Sequence, residues 1–120
     1  MFNKPLPEWK DLTIPKKTSK AYELKFTENG QYVDITDWTI YFTVKASMNN
    51  EDSEALIAKE ITSHLDATGG KSLIELTSTD TNISAGIYYY SIDYKDDDGN
   101  VKILYQGKLR ISKTVLNSRS

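Results

Sequence analysis

The sequence predicts an all-β chain, folded as an immunoglobulin-like antiparallel β-sandwich of about seven to eight strands. Three observations predict it. Apolar and aromatic residues alternate with polar ones in short runs, clearest from Trp38 to Lys45, where Trp38, Ile40, Phe42 and Val44 interleave with Thr39, Tyr41, Thr43 and Lys45. Turn chemistry, Asn29-Gly30 and Asp98-Gly99 above all, separates those runs at short intervals. The stretch from Asp80 to Ile111 joins an acidic corner, Gly86, Tyr88 and Tyr90 at spacing two, a hairpin turn and a long final run, as the last two strands of such a sandwich do.

Taken in order, residues 1–18 carry all three Pro and read as an extended N-terminal arm, with Leu12 and Ile14 a short edge strand. Pro15 has no amide hydrogen to give a ladder, so it belongs at an edge. The sandwich itself is expected over 19–114. Ala21–Thr27 is its first clear strand, with Tyr22, Leu24 and Phe26 on one face and Glu23 and Lys25 on the other. Asn29-Gly30 turns that strand into a second, Gln31–Ile35, because both turn residues tolerate positive φ. Trp38–Ala46 follows. Met48–Ala55 is polar and acidic and reads as a loop holding at most one helical turn, capped by Asn50 or Ser53. Leu56–Thr62 and Ser72–Thr77 are further strands, and His64–Lys71 between them is a loop. The final hairpin follows the corner, and 115–120 reads as a flexible tail.

Composition narrows function by exclusion. One domain of 120 residues buries about two thirds of the surface its unfolded chain exposes, so it needs no staple. Cys is absent, which removes disulfides, zinc–thiolate sites and thiol nucleophiles together. Fifteen basic and seventeen acidic residues give a charge of −2, with neither a nucleic-acid footprint nor a polybasic membrane patch. Two Pro interrupt the first nine residues and no apolar run suits a signal peptide, so synthesis in the cytoplasm without export is expected.

The motifs that suggest chemistry each fail on context. Gly70-Lys71-Ser72 echoes a phosphate loop, but the first Gly of that motif falls at Leu65 and a strand follows where a helix is required. Asp96-Asp97-Asp98-Gly99-Asn100 invites calcium, but an EF-hand register puts Tyr94 and Tyr105 at the two key carboxylate positions. A solvated hairpin turn is the simpler reading. Asn82-Ile83-Ser84 matches a glycosylation acceptor but lies in the corner. The single His, His64, sits in a polar loop with no recognisable nucleophile and reads as solvated. No catalytic residue, cofactor or metal is therefore expected, and the chain reads as a non-enzyme.

One constellation remains. If Trp38, Tyr88 and Tyr90 face inward, alternation turns Tyr41, Ile87 and Tyr89 outward. If Val101, Ile103 and Tyr105 also face inward, Leu104 turns outward. In immunoglobulin-type topology these three strands share a sheet, so Tyr41, Ile87, Tyr89 and Leu104 meet on one exposed face, which reads either as a protein–protein contact or as scattered surface apolars or a face covered by the N-terminal arm with Leu6 and Trp9. Trp9 in the arm is a further candidate contact residue. The fold-holding residues are expected to be Trp38, Phe42, Tyr88, Tyr90 and Ile103.

The succession Asp34-Ile-Thr-Asp-Trp38-Thr-Ile-Tyr-Phe-Thr-Val-Lys45, Asp52-Ser-Glu-Ala-Leu-Ile-Ala-Lys-Glu-Ile61, Ala85-Gly-Ile-Tyr-Tyr-Tyr-Ser-Ile-Asp-Tyr94, Asp98-Gly-Asn-Val101 and Gln106-Gly-Lys-Leu-Arg-Ile111 resembles small bacteriophage and prophage tail accessory proteins and the N-terminal Ig-like domain of upper baseplate proteins. The resemblance spans residues 19–113. It implies a virion structural or assembly protein in the tail, baseplate or fibre attachment. Its implied partners are other phage structural proteins, with a homo-oligomer as one form of contact, and neither nucleic acid nor membrane. The alternative expectation is a ligand-binding module for host surface polysaccharide, with Trp9 or Tyr side chains as stacking platforms.

Overall fold

The computed structural model describes residues 8–9, 11–47 and 55–113. The loop residues 48–54, with the expected helical turn, and the tail after Lys113 lie outside the described residues. The expectation of an all-β chain holds: every regular element among the described residues is a strand. They are β1 (Glu8–Trp9), β2 (Leu12–Pro15), β3 (Lys20–Lys25), β4 (Thr27–Glu28), β5 (Gln31–Tyr32), β6 (Thr39–Lys45), β7 (Ile57–Ile61), β8 (Lys71–Leu76), β9 (Gly86–Lys95) and β10 (Val101–Ser112).

Six strands form one sheet in the order β1-β10-β9-β6-β7, with β2 also paired to β10. The sheet is mixed. β9 is antiparallel to both β10 and β6, but β1 and β2 run parallel to β10 along its other edge, Leu12 opposite Leu109 and Ile14 opposite Ile111. The extended arm thus zips onto the last strand and seats Ile14 fully in the core. β3 and β8 make a second, antiparallel pair, and β4 and β5 a short hairpin. In that hairpin Asn29 and Gly30 take φ of 51° and 79°, the two positive angles an Asn-Gly turn supplies.

Alternation explains the core. On β6, Ile40, Phe42 and Val44 are fully buried, and on β9, Tyr90, Ile92 and Tyr94 point the same way. Leu24, Phe26, Ile74 and Leu76, from the β3–β8 side, complete a single apolar cluster with them. At one end Trp38 stacks on Tyr94, ring centroids 4.7 Å apart, and Phe26 meets both edge-on at 5.4 and 5.7 Å. Each such contact contributes about 0.5–1.5 kcal/mol beyond the area it buries. Gly70 is required where Phe26 and Val33, on either side of the β4–β5 hairpin, approach the residue ahead of β8. A Cβ there would lie 2.6 Å from the Val33 carbonyl oxygen and 2.7 Å from that of Phe26, at a φ of +71°.

The acidic corner folds as its residues suggest. Asp80 accepts from the Thr77 amide at 2.8 Å, and the Asp80 amide donates back to the Thr77 hydroxyl. The Tyr88 hydroxyl donates to the Ser84 carbonyl at 2.5 Å, four residues upstream, which ties the corner to the start of β9. Lys59, on β7, the last strand in the sheet order among the described residues, reaches Asp80 at 2.8 Å.

Two expectations are corrected here. β10 carries a bulge: Ile103 opposes Asp93 and Tyr105 opposes Ile92, leaving Leu104 as the extra residue. Parity therefore changes within the strand. Leu104 drops into the core at 3% exposure, whereas Ile103, at 43%, and Val101, at 60%, turn to the outside. Ile103 does not hold the fold, and Leu104 does. His64, expected to be a solvated loop residue, is half-buried and bridges two elements. Its Nε2 lies 2.7 Å from the Trp38 carbonyl oxygen, and its Nδ1 lies 2.9 Å from the hydroxyl of fully buried Ser72. A carbonyl only accepts, so Nε2 carries a proton. The residue ahead of β6 and the second residue of β8 are held together through this one ring.

Candidate functional site: a dish on the outer face of the large sheet

The face of the six-stranded sheet turned away from the core holds an open depression. Its register lays side chains out in rows, two residues apart along each strand. The first row is Lys45, Tyr89 and Lys108 on β6, β9 and β10. The second is Ala58, Thr43, Ser91 and Gln106, from β7 across to β10. The third is Glu60, Tyr41, Asp93 and Ile103, and beyond it come Thr39, Lys95 and Val101.

Ala58, Thr43 and Ser91 of the middle row are small, and Tyr41, Tyr89, Lys45 and Ile103 in the rows on either side are large. That difference makes a dish of about 820 Å³, within the size range of ligand-binding clefts. Its floor is Ala58, Thr43 and Ser91; Tyr41, Tyr89, Lys45, Asp93, Ile103 and Val101 surround it. The strand backbones beneath are engaged in the ladder, so the polar groups offered to a guest are side chains. Ser91 donates to Asp93 at 3.2 Å, which orients that carboxylate along the floor. Charge is unevenly distributed. Lys45, Asp93 and Lys95 line the dish, while Lys108 and Glu60 lie on the same face outside its lining.

The five residues expected to meet a partner divide accordingly. Tyr41 and Tyr89 both line the dish, as alternation required. Ile87 is exposed on the same face, two residues beyond Tyr89 and opposite Arg110, outside the lining. Leu104 is in the core because of the bulge. The backbone of Trp9 lies beside Gln106 in the parallel ladder, at the border of the middle row. Sequence reasoning missed the floor, because Thr43, Ser91 and Ala58 carry no signal of their own. It missed Ile103 and Val101 through the bulge, whose signal was legible: Ile103-Leu104-Tyr105 breaks alternation with three apolar residues in succession.

Elsewhere, Asp96, Asp97 and Asp98 bring one carboxylate oxygen each within 4.8 Å of the others. Asp96 already accepts from the amides of Asp98 and Asn100, at 3.0 and 2.9 Å, and Gly99 has a φ of 86°. The arrangement is that of a tight turn.

No protein-family model matches the sequence, and no curated protein matches it. Among solved structures, the fold is similar to that of the PmoD soluble domain from Methylocystis sp. ATCC 49242 (Rockwell). The TM-score is 0.50 at 10% identity, over 83% of this chain and 77% of that one. At this identity the likeness concerns the fold alone. It corrects the resemblance to phage tail and baseplate proteins, since the similar structure is not a phage tail protein. The physical reason is plain in the residues. Alternation, the acidic corner and the Asp-Gly turn are devices that all-β chains share, so their succession tracks strand and turn geometry and not lineage.

Proposed function

We propose that this chain is a non-enzymatic binding module, built on an immunoglobulin-like sandwich, that works by protein–protein contact through its outer dish. The fold reading is supported by strand order: β10-β9-β6-β7 on one side and β3-β8 on the other correspond to G-F-C-C′ and B-E of that architecture. Buried Trp38 ahead of β6 and the Tyr88 corner fit the same scheme. The observation that carries the functional reading is the dish itself. Tyrosines, lysines, the Asp93 carboxylate and apolar residues converge on one depression of the sheet face, a composition suited to recognising another protein. A second reading, a polysaccharide-binding module, is favoured by Tyr41 and Tyr89 flanking the hydroxyls of Thr43 and Ser91.

The test is retention of a partner. Full-length chain and a Thr43→Arg variant, which fills the floor, are immobilised and exposed to extract of the native source. A protein retained by the first and lost from the second, at equal unfolding midpoints, is the expected result. Equal retention by both contradicts the reading, and retention of glycan in place of protein favours the alternative.

A further inference from the structure

The Asn29-Gly30 turn carries a chemistry independent of the dish, from which the β4–β5 hairpin stands apart. Of the asparagines in the chain, only Asn29 precedes a glycine. That pairing sets a carboxamide beside a backbone nitrogen that no side chain shields. Both residues are exposed, and a Cβ built on Gly30 meets nothing within 4 Å, so the Gly30 nitrogen is open to approach. Among the described residues, neither that nitrogen nor the Asn29 carboxamide makes a hydrogen bond. The ladder begins one pair further out, with Glu28 opposite Gln31, and ends at the next, Thr27 opposite Tyr32. A hairpin of so few pairs opens easily. Once it opens, Asn29 is released from its φ of 51°, and its carboxamide carbon swings within reach of the Gly30 nitrogen.

We propose that Asn29 is a site of spontaneous deamidation, and that its product releases the β4–β5 hairpin while leaving the core intact. The Gly30 nitrogen bonds to Cγ of Asn29, and ammonia leaves, carrying the proton that the nitrogen gave up. The five-membered succinimide then takes up water at one of its two carbonyls. Opening at the former side-chain carbonyl leaves an aspartate in a normal backbone. Opening at the backbone carbonyl routes the chain through the former side chain, as isoaspartate. In sum one water is consumed and one ammonia released, with no oxidant or reductant. Isoaspartate adds one atom to the backbone, so the two consecutive positive φ angles that close this turn are lost. The opening stops at the base of the hairpin. Phe26 donates to the Gly70 carbonyl at 2.8 Å, and Val33 donates to the Phe26 carbonyl at 3.0 Å. Phe26 is itself buried against Trp38 and Tyr94. The released segment is therefore 27–32, and Tyr32 leaves the Lys71 ammonium that lies 5.6 Å from its ring centroid.

Ageing the full chain in mildly alkaline buffer, with peptide mass spectrometry at intervals, tests this. Position 29 is expected to gain about 1 Da before any other asparagine does, and to split into two isomers separable by chromatography. Amide hydrogen exchange, read by NMR, is expected to quicken across 27–32 in the aged chain. Phe26 and Val33 stay protected, and the urea unfolding midpoint stays where it was. Asn29→Gly keeps a turn that accepts positive φ but has no carboxamide, and it is expected to age without either change. An intact Asn29, or deamidation of another asparagine ahead of it, overturns the proposal. So does a modified chain whose hairpin exchanges as slowly as in fresh protein, or an aged Asn29→Gly chain whose hairpin loosens equally.

Discussion

Tyr90 shows how one buried side chain links the core to solution conditions. It packs beside Phe42 in the core, and burial pushes its hydroxyl up to about 12, with the charges of Tyr22, Asp11 and Tyr105 adding in the same direction. The unfolded chain ionises this group near 10. Below that pH both states keep the proton and the contribution to stability is complete. Between about 10 and 12 only the unfolded state ionises, so stability falls as pH rises, by about 2–3 kcal/mol over the window. Urea midpoints measured from pH 9 to 12 are expected to fall steeply in the native chain and less steeply in Tyr90→Phe. Parallel profiles would contradict the assignment. At this scale the sequence was only partly legible. Alternation on β9 gave Tyr90 its inward direction, but the role of His64 depends on Trp38 and Ser72, 26 and 8 residues away. No local pattern encodes such a contact.

The strands themselves were largely legible, because period two and turn residues are local properties of the chain. The failure came where one strand changes parity. Extending alternation through β10 carries the inward direction of Tyr105 back to Ile103 and Val101, and the bulge at Leu104 breaks that step. Substitution separates the two descriptions. Leu104→Ala removes packed core volume and is expected to cost about 2–5 kcal/mol in urea unfolding. Ile103→Ser, on the exposed side, is expected to cost within about 0.5 kcal/mol. The reverse ranking would mean that strict alternation holds through the strand. The parallel pairing of β1 and β2 with β10 was also beyond the sequence. Pro15 marked an edge without saying which strand lay beside it, and Leu12 opposite Leu109 is a contact between the two ends of the chain.

For the whole molecule, the central claim is that its contact surface is the outer dish, where Tyr41 and Tyr89 stand on either side of Thr43 and Ser91. Half of that site was readable, since both tyrosines follow from alternation. The other half was not, because a depression is made by residues that are small in relation to neighbours on other strands. The tyrosines supply a direct measurement. Tyr32, 58% exposed on β5 and away from the large sheet, serves as an internal reference. Tyrosine-directed labelling of the full chain, alone and saturated with its retained partner, is read residue by residue by mass spectrometry. Protection of Tyr41 and Tyr89 with Tyr32 unchanged is the predicted result. Protection of Tyr32 with Tyr41 and Tyr89 still labelled would contradict the account.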